Sequence, residues 1–183
     1  MKNIIETISN EISTVLSKVS PEEGLAVSQE LKSAKRIFVY GEGRSGLMGK
    51  AFAMRLMHGG YEVYAVGETI TPSIGKGDLL VAISGSGSTG MIYEFAAKAK
   101  EIGARVVLVT TSRESKIAKI SDRVLVIPAA TKYRRPEEPA TIQPLGNQFD
   151  QSVHLVLDGI IIHSLQEKED MNDEMRRKHS NLE

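Results

Sequence analysis

Two glycine-rich turns and one carboxylate have types and spacings suited to chemistry. Gly41-Glu42-Gly43-Arg44-Ser45-Gly46 directly follows the apolar run Ile37-Phe38-Val39-Tyr40, and Ser84-Gly85-Ser86-Gly87-Ser88-Thr89 directly follows Leu79-Leu80-Val81-Ala82-Ile83. Glycine lets a backbone turn tightly against a ligand, and a helix starting after such a turn offers N–H groups and a positive dipole end to an anion. The second turn adds the hydroxyls of Ser84, Ser86, Ser88 and Thr89, which can donate to phosphate oxygens. Two such turns, both ending parallel-type strands, predict a pocket for a phosphorylated small molecule at the carboxyl edge of a sheet. Asp150 opens a long apolar helix, where a carboxylate can serve as a general base or equally as a cap and dipole partner. Spacing alone leaves both roles open.

Other chemistries fit less well. Gly41-x-Gly43-x-x-Gly46 spells a dinucleotide fingerprint, with Glu68 near the end of the next strand where a ribose-binding acid would stand. A second phosphate-type loop is superfluous in that reading, and 183 residues leave little room for a separate catalytic domain. No lysine followed by serine or threonine closes either loop, which argues against nucleotide triphosphate hydrolysis. His58, His154, His163 and His179 join no carboxylate at metal-binding spacing, so no metal is expected. His154 and His163 lie inside the apolar helix and read as core or interface residues.

The composition narrows the class. Lys plus Arg and Asp plus Glu are 23 each, giving no net field to attract nucleic acid or an anionic membrane. Cysteine is absent, which removes disulfides and thiolate chemistry and fits a reducing cytoplasm. No run approaches the roughly 20 apolar residues of a membrane span, and no secretory apolar segment opens the sequence. Tryptophan is absent and aromatics make up 5%, leaving little for stacking on single-stranded nucleic acid.

The elements that must position these residues follow from periodicity. Apolar residues from Ile4 to Val19 recur at helical spacing, and Ser20-Pro21-Glu22-Glu23 reads as a cap, a proline and an acidic first turn for a second helix. Strands are predicted at 36–40, 61–66, 78–83, 105–110 and 123–127. Helices are predicted after each glycine turn, over 115–120 and over 148–166. Short apolar strands alternating with helices predict an α/β fold with a doubly wound, five-stranded parallel sheet. The whole chain reads as one domain: helices over 1–34, the sheet core over 35–128, a proline-rich loop over 129–146, and a C-terminal helix and charged tail over 147–183.

The stretches GRSGLMGKAFAMRLMHGG (43–60), VGETITP (66–72), SGSGST (84–89), TIQPLGNQFDQ (141–151) and HSNLE (179–183) occur in the order found in a known family. By them the chain resembles the 6-phospho-3-hexuloisomerases of the sugar isomerase (SIS) domain superfamily, from about residue 36 to the end. The resemblance implies a flavodoxin-like sheet, a homotetramer, no metal or organic cofactor, and interconversion of 3-hexulose 6-phosphate and fructose 6-phosphate in formaldehyde fixation by the ribulose monophosphate route. It implies substrate contacts at Gly43, Arg44 and Ser45 and a phosphate cradle over Ser84, Gly85, Ser86, Gly87, Ser88 and Thr89. The family's catalytic base is a glutamate, and its place is taken here by Asp150, one methylene shorter. His179 is the second catalytic candidate, moving protons between sugar oxygens from an ordered tail that completes a pocket of its own chain or a neighbour's. A sugar-phosphate sensor without catalysis is the alternative, as is a different sugar-phosphate isomerase.

Overall fold

The structure is a computed structural model that describes residues 1–167 and 169–182. Two helices open the chain, α1 (Lys2–Leu16) and α2 (Pro21–Ser33). The Ser20 hydroxyl accepts the Glu23 N–H at 3.2 Å ahead of Pro21, so the predicted cap forms. Next come β1 (Ile37–Gly41), α3 (Gly43–His58), β2 (Val63–Ala65), β3 (Leu79–Ile83), α4 (Gly90–Ile102), β4 (Arg105–Thr110) and β5 (Arg123–Val126). The chain closes with α5 (Asn147–Leu165) and α6 (Met171–Arg177). No helix among the described residues is long and apolar enough to cross a membrane.

The strands form one five-stranded sheet in the order β2-β1-β3-β4-β5, every neighbouring pair parallel. Side chains alternate across it, as a strand's period of two requires. Ile37, Val39, Leu79, Val81, Ile83, Val107 and Val109 face a core closed by α1, α2, α3 and α5. Phe38, Leu80, Ala82, Val106 and Leu108 face the other core, where α4 packs through Ile92, Ala96 and Ala99. Both faces are therefore buried, which is why the strands read as continuous apolar runs.

One predicted element shrinks. In place of a helix over 115–120 there is only a 3₁₀ turn, Ala118–Ile120. The Ile117 N–H leaves the segment to reach the Gly87 carbonyl at 3.0 Å, and the Ser115 hydroxyl accepts the Ala118 N–H at 3.3 Å. One donor of the predicted helix is thus spent on the serine-rich loop and another on a side chain of its own segment.

Candidate active site

The two glycine turns leave the carboxyl ends of β1 and β3, adjacent strands whose connections depart in opposite directions. This is the switch point at which open α/β sheets form a crevice. Glycine is required at the closest approaches. A Cβ on Gly46 would lie 2.5 Å from the Gly41 carbonyl oxygen, and one on Gly87 (φ +61°) would lie 2.1 Å from Ser115 Oγ. These contacts hold Ser45 at the first turn of α3 and Thr89 at the start of α4.

A cavity of about 320 Å³ opens between the turns and the start of α5, a size that suits a small ligand. Arg44, Ser45, Gly85, Ser86, Thr89 and Asp150 all line it. The Ser45 hydroxyl donates to Asp150 Oδ1 at 2.7 Å. Arg44 donates from Nη1 to Asn147 Oδ1 at 2.7 Å, and its Nε stands 3.8 Å from Asp150 Oδ2. Asp150 is buried, and burial pushes its carboxyl above the ordinary carboxylate value against the Ser45 hydrogen bond and the Arg44 charge. Gly146 holds the cap position of α5 and the Asp150 carboxylate faces Ser45, so of the two roles open in the sequence the geometry takes the side chain toward the cavity.

Three helices, α3, α4 and α5, begin at the rim of this cavity, and no side chain caps the N-terminus of any of them. Their first-turn N–H groups and dipoles give the crevice a positive bias without a formal charge. Within the serine-rich loop, labour is divided. Gly85, Ser86 and Thr89 face the cavity, whereas Ser84 is buried, bonded to Thr89 Oγ1 at 3.0 Å and accepting the Gly87 N–H at 3.1 Å. Thr111 clamps the Gly85 carbonyl from the end of β4 through its N–H (3.1 Å) and hydroxyl (2.8 Å). Ser84 and Gly87 thus shape the loop, and Ser88 points away from the cavity.

Sequence reasoning missed the far wall. The segment 128–146 forms a strap over the crevice, contributing Thr131, Lys132, Tyr133 and Leu145, with Asn147 at its end. Gln148 Oε1 accepts the Ala130 N–H at 2.7 Å, and Glu138 accepts the Thr131 N–H at 2.8 Å and its hydroxyl at 2.6 Å. Irregular, proline-rich sequence carries no periodic signal, but a loop after the last strand of such a sheet does fall at the ligand-binding edge.

Within the chain, His179 is not brought to Asp150. Its ring stacks on His58 with centroids 5.2 Å apart, at the opposite end of α3 and about 20 Å along that helix from Ser45. The tail is ordered by this contact and by Met171 and Met175 against the core. His163 bonds Ser28 Oγ at 2.8 Å, and His154 stands exposed, 3.6 Å from Asp158. Glu68 pairs with Lys50 and does not line the cavity, so the acid of the dinucleotide fingerprint is spent elsewhere.

A family model described as the SIS domain matches residues 30–142. The chain belongs to the SIS domain family. Among curated proteins it is 38% identical over 179 residues to the 3-hexulose-6-phosphate isomerase of Bacillus subtilis (strain 168), covering 98% of this chain and 97% of that protein. It is 36% identical over 181 residues to the 3-hexulose-6-phosphate isomerase of Mycobacterium gastri, covering 99% and 90%. The crystal structure of a hypothetical protein from Methanococcus jannaschii, from which a 3-hexulose-6-phosphate isomerase function was inferred, matches with a TM-score of 0.84 at 31% identity over 98% of both chains. The SIS domain match contains both glycine turns and ends before Asp150, so that carboxylate comes from a part of the chain that the full-length likenesses span and the SIS match does not.

Proposed function

We propose that this SIS domain protein is a 3-hexulose-6-phosphate isomerase, an aldose-ketose-type isomerase that interconverts 3-hexulose 6-phosphate and fructose 6-phosphate. The single observation that carries the reading is Asp150, a buried carboxylate held at 2.7 Å by Ser45 on the wall of a cavity whose other side is a serine-rich loop. Moving a ketone from C3 to C2 requires removal of the C2 proton, passage through a 2,3-enediol and protonation of C3, while a proton passes from O2 to O3. Asp150 takes the first proton and returns it to C3, work for which a positioned carboxylate supplies on the order of 10²–10⁴-fold. Ser45 and Arg44 fix its orientation beside Gly43. The phosphate rests on Gly85, Ser86 and Thr89, the part of the cradle facing the cavity, far enough from C2 and C3 that its binding energy sets the sugar's register.

His179 can move the proton between O2 and O3 only from a neighbouring copy, since its own chain holds it on His58. A homotetramer and a cytoplasmic setting are part of the same proposal, as are a single domain over 1–183, a chemistry that needs no cofactor, and a place in the ribulose monophosphate route. Incubation of the purified protein with 3-hexulose 6-phosphate, followed by enzymatic measurement of fructose 6-phosphate, tests the activity. Turnover is expected. Binding of fructose 6-phosphate without turnover would overturn the catalytic reading and leave a sugar-phosphate sensor.

A further inference from the structure

The serine-rich loop contains no cation, and the cavity's charges sort unevenly between its two ends. Its lining carries two carboxylates, Glu42 and Asp150, and two cations, Arg44 and Lys132. Arg44 is spent on Asn147 and Asp150, at the end where proton transfer takes place. An incoming phosphate dianion therefore meets the cradle's hydroxyls and helix dipoles with one cation of the cavity lining uncommitted. Lys132 is exposed and pairs with no carboxylate among the described residues; its ammonium lies 5.2 Å from the centre of the Tyr133 ring.

The backbone around Lys132 is fixed to a degree unusual for an exposed turn. The Arg134 N–H returns to the Thr131 carbonyl at 3.4 Å, closing a turn whose central residues are Lys132 and Tyr133. Glu138 holds the Thr131 N–H and hydroxyl at the entry to that turn. At the exit, Arg134 adopts left-handed backbone (φ 49°), a conformation strained for a residue with a side chain. Its guanidinium compensates by donating to the carbonyls of Thr131, Gln143 and Leu145, the last at 2.8 Å. Strain held in place by several hydrogen bonds, on a turn carrying a cation without a carboxylate partner at a ligand cavity, marks a built position.

We propose that Lys132 is the specificity-determining cation for the substrate's phosphate, positioned by the Thr131–Arg134 turn and completing the hydroxyl cradle of Ser86 and Thr89. The proposal rests on the isomerase reading above. Lys132 brings the four formal charges around the crevice to balance, so the dianion is not repelled by a net negative site. The same charge selects sugars carrying a phosphate over their unphosphorylated counterparts, because an unphosphorylated sugar leaves the ammonium without a partner.

The test compares the wild type with Lys132→Met and Lys132→Arg. Loss of a charge-assisted contact is expected to raise KM for 3-hexulose 6-phosphate in Lys132→Met on the order of tenfold or more, with kcat largely kept. Inhibition by inorganic phosphate should weaken in parallel, and Lys132→Arg should restore both. The wild-type KM should climb with ionic strength, and that dependence should flatten in Lys132→Met. Lys132→Met with unchanged KM and unchanged phosphate inhibition would overturn the proposal, and so would a loss that Lys132→Arg fails to rescue. If the wild type binds fructose 6-phosphate without turnover, the isomerase reading alone falls, and calorimetry decides: weaker binding by Lys132→Met supports the cation's role, and equal binding overturns it. No binding of fructose 6-phosphate or phosphate by the wild type would overturn both.

Discussion

Ser45 and Asp150 are 105 residues apart in sequence and 2.7 Å apart in space, joined by a hydrogen bond from the serine hydroxyl to Oδ1. That bond ties the first turn of α3 to the first turn of α5, so the glycine turn after β1 and the carboxylate act as one unit. Asp150→Asn keeps a side-chain oxygen for Ser45 and removes the base. Turnover should fall by about 10²-fold or more, with fructose 6-phosphate affinity close to wild type. Asp150→Glu retains a carboxylate and should keep measurable turnover. Steady-state kinetics and calorimetry on both variants check this, and unchanged turnover in Asp150→Asn would remove the residue from the mechanism.

The acid limb of the rate profile follows from the same bond. Burial raises the Asp150 carboxyl above its ordinary value, while the Ser45 hydrogen bond and the Arg44 charge pull it down. A base must be deprotonated, so kcat should fall with decreasing pH, at a pH above the ordinary carboxylate range. Ser45→Ala removes one of the two lowering influences, and its acid limb should shift to higher pH. The stability sign is opposite to that of a salt-bridged aspartate. The folded state binds this proton more tightly than the unfolded chain, so stability present below the unfolded value is lost as pH rises through the folded one. At neutral pH Asp150→Asn should therefore melt at a higher temperature than wild type, a gain in stability at the expense of catalysis.

Glu11 anchors the strap from the opposite end of the sequence. Its carboxylate accepts the Thr141 hydroxyl at 2.5 Å, the Ile142 N–H at 2.8 Å and Gln143 Nε2 at 3.1 Å. Burial alone would raise its pKa, but these three donors together with the Arg134 charge hold it below the ordinary value. A depressed carboxylate contributes stability that is present above its unfolded value near 4.5 and lost as pH falls through the folded one. Glu11→Ala should cost about 1–3 kcal/mol in thermal or denaturant unfolding, by leaving donors without their partner. Because the strap also carries Lys132 and Tyr133, KM should rise more than kcat falls.

Local pattern made the scaffold legible, and long-range pairing hid part of the site. Ser20 before Pro21, Gly103 in left-handed backbone (φ 91°) closing α4, and the apolar strands all obey rules confined to a few neighbouring residues. The two glycine turns belong to the same class, since the requirement at Gly46 comes from Gly41 itself. Asp150 and Ser45 were each visible as residues, but their pairing was not, because nothing within either segment encodes their contact. Lys132, Tyr133 and Asn147 went unread because the strap is built by single side chains such as Arg134 and Glu138, without a repeating signal. The helix expected over 115–120 is shortened for a related reason: the Ile117 N–H is claimed by the Gly87 carbonyl, a tertiary demand that local propensity does not contain.

Long-range pairing also gives the tail a pH dependence. His58 is buried at the end of α3, and burial, the stacked His179 and the nearby Arg55 all hold its pKa below the ordinary value of 6.5. Arg176 and Asp158 line the same 450 Å³ cavity, so protonation of His58 adds charge to a site already holding two guanidinium groups and one carboxylate. A histidine with a depressed folded pKa contributes stability that is full above 6.5 and lost as pH falls through the folded value. Acidification should therefore loosen α6 before the sheet unfolds. Hydrogen exchange of the 171–177 amides, corrected for the intrinsic effect of pH, should quicken as pH falls below the ordinary value of 6.5, whereas amides of β3 and β4 stay protected. His58→Gln, which carries no charge at any of these values, should flatten that dependence. Protection of α6 that is indifferent to pH in the wild type would show that the His58–His179 stack does not hold the tail.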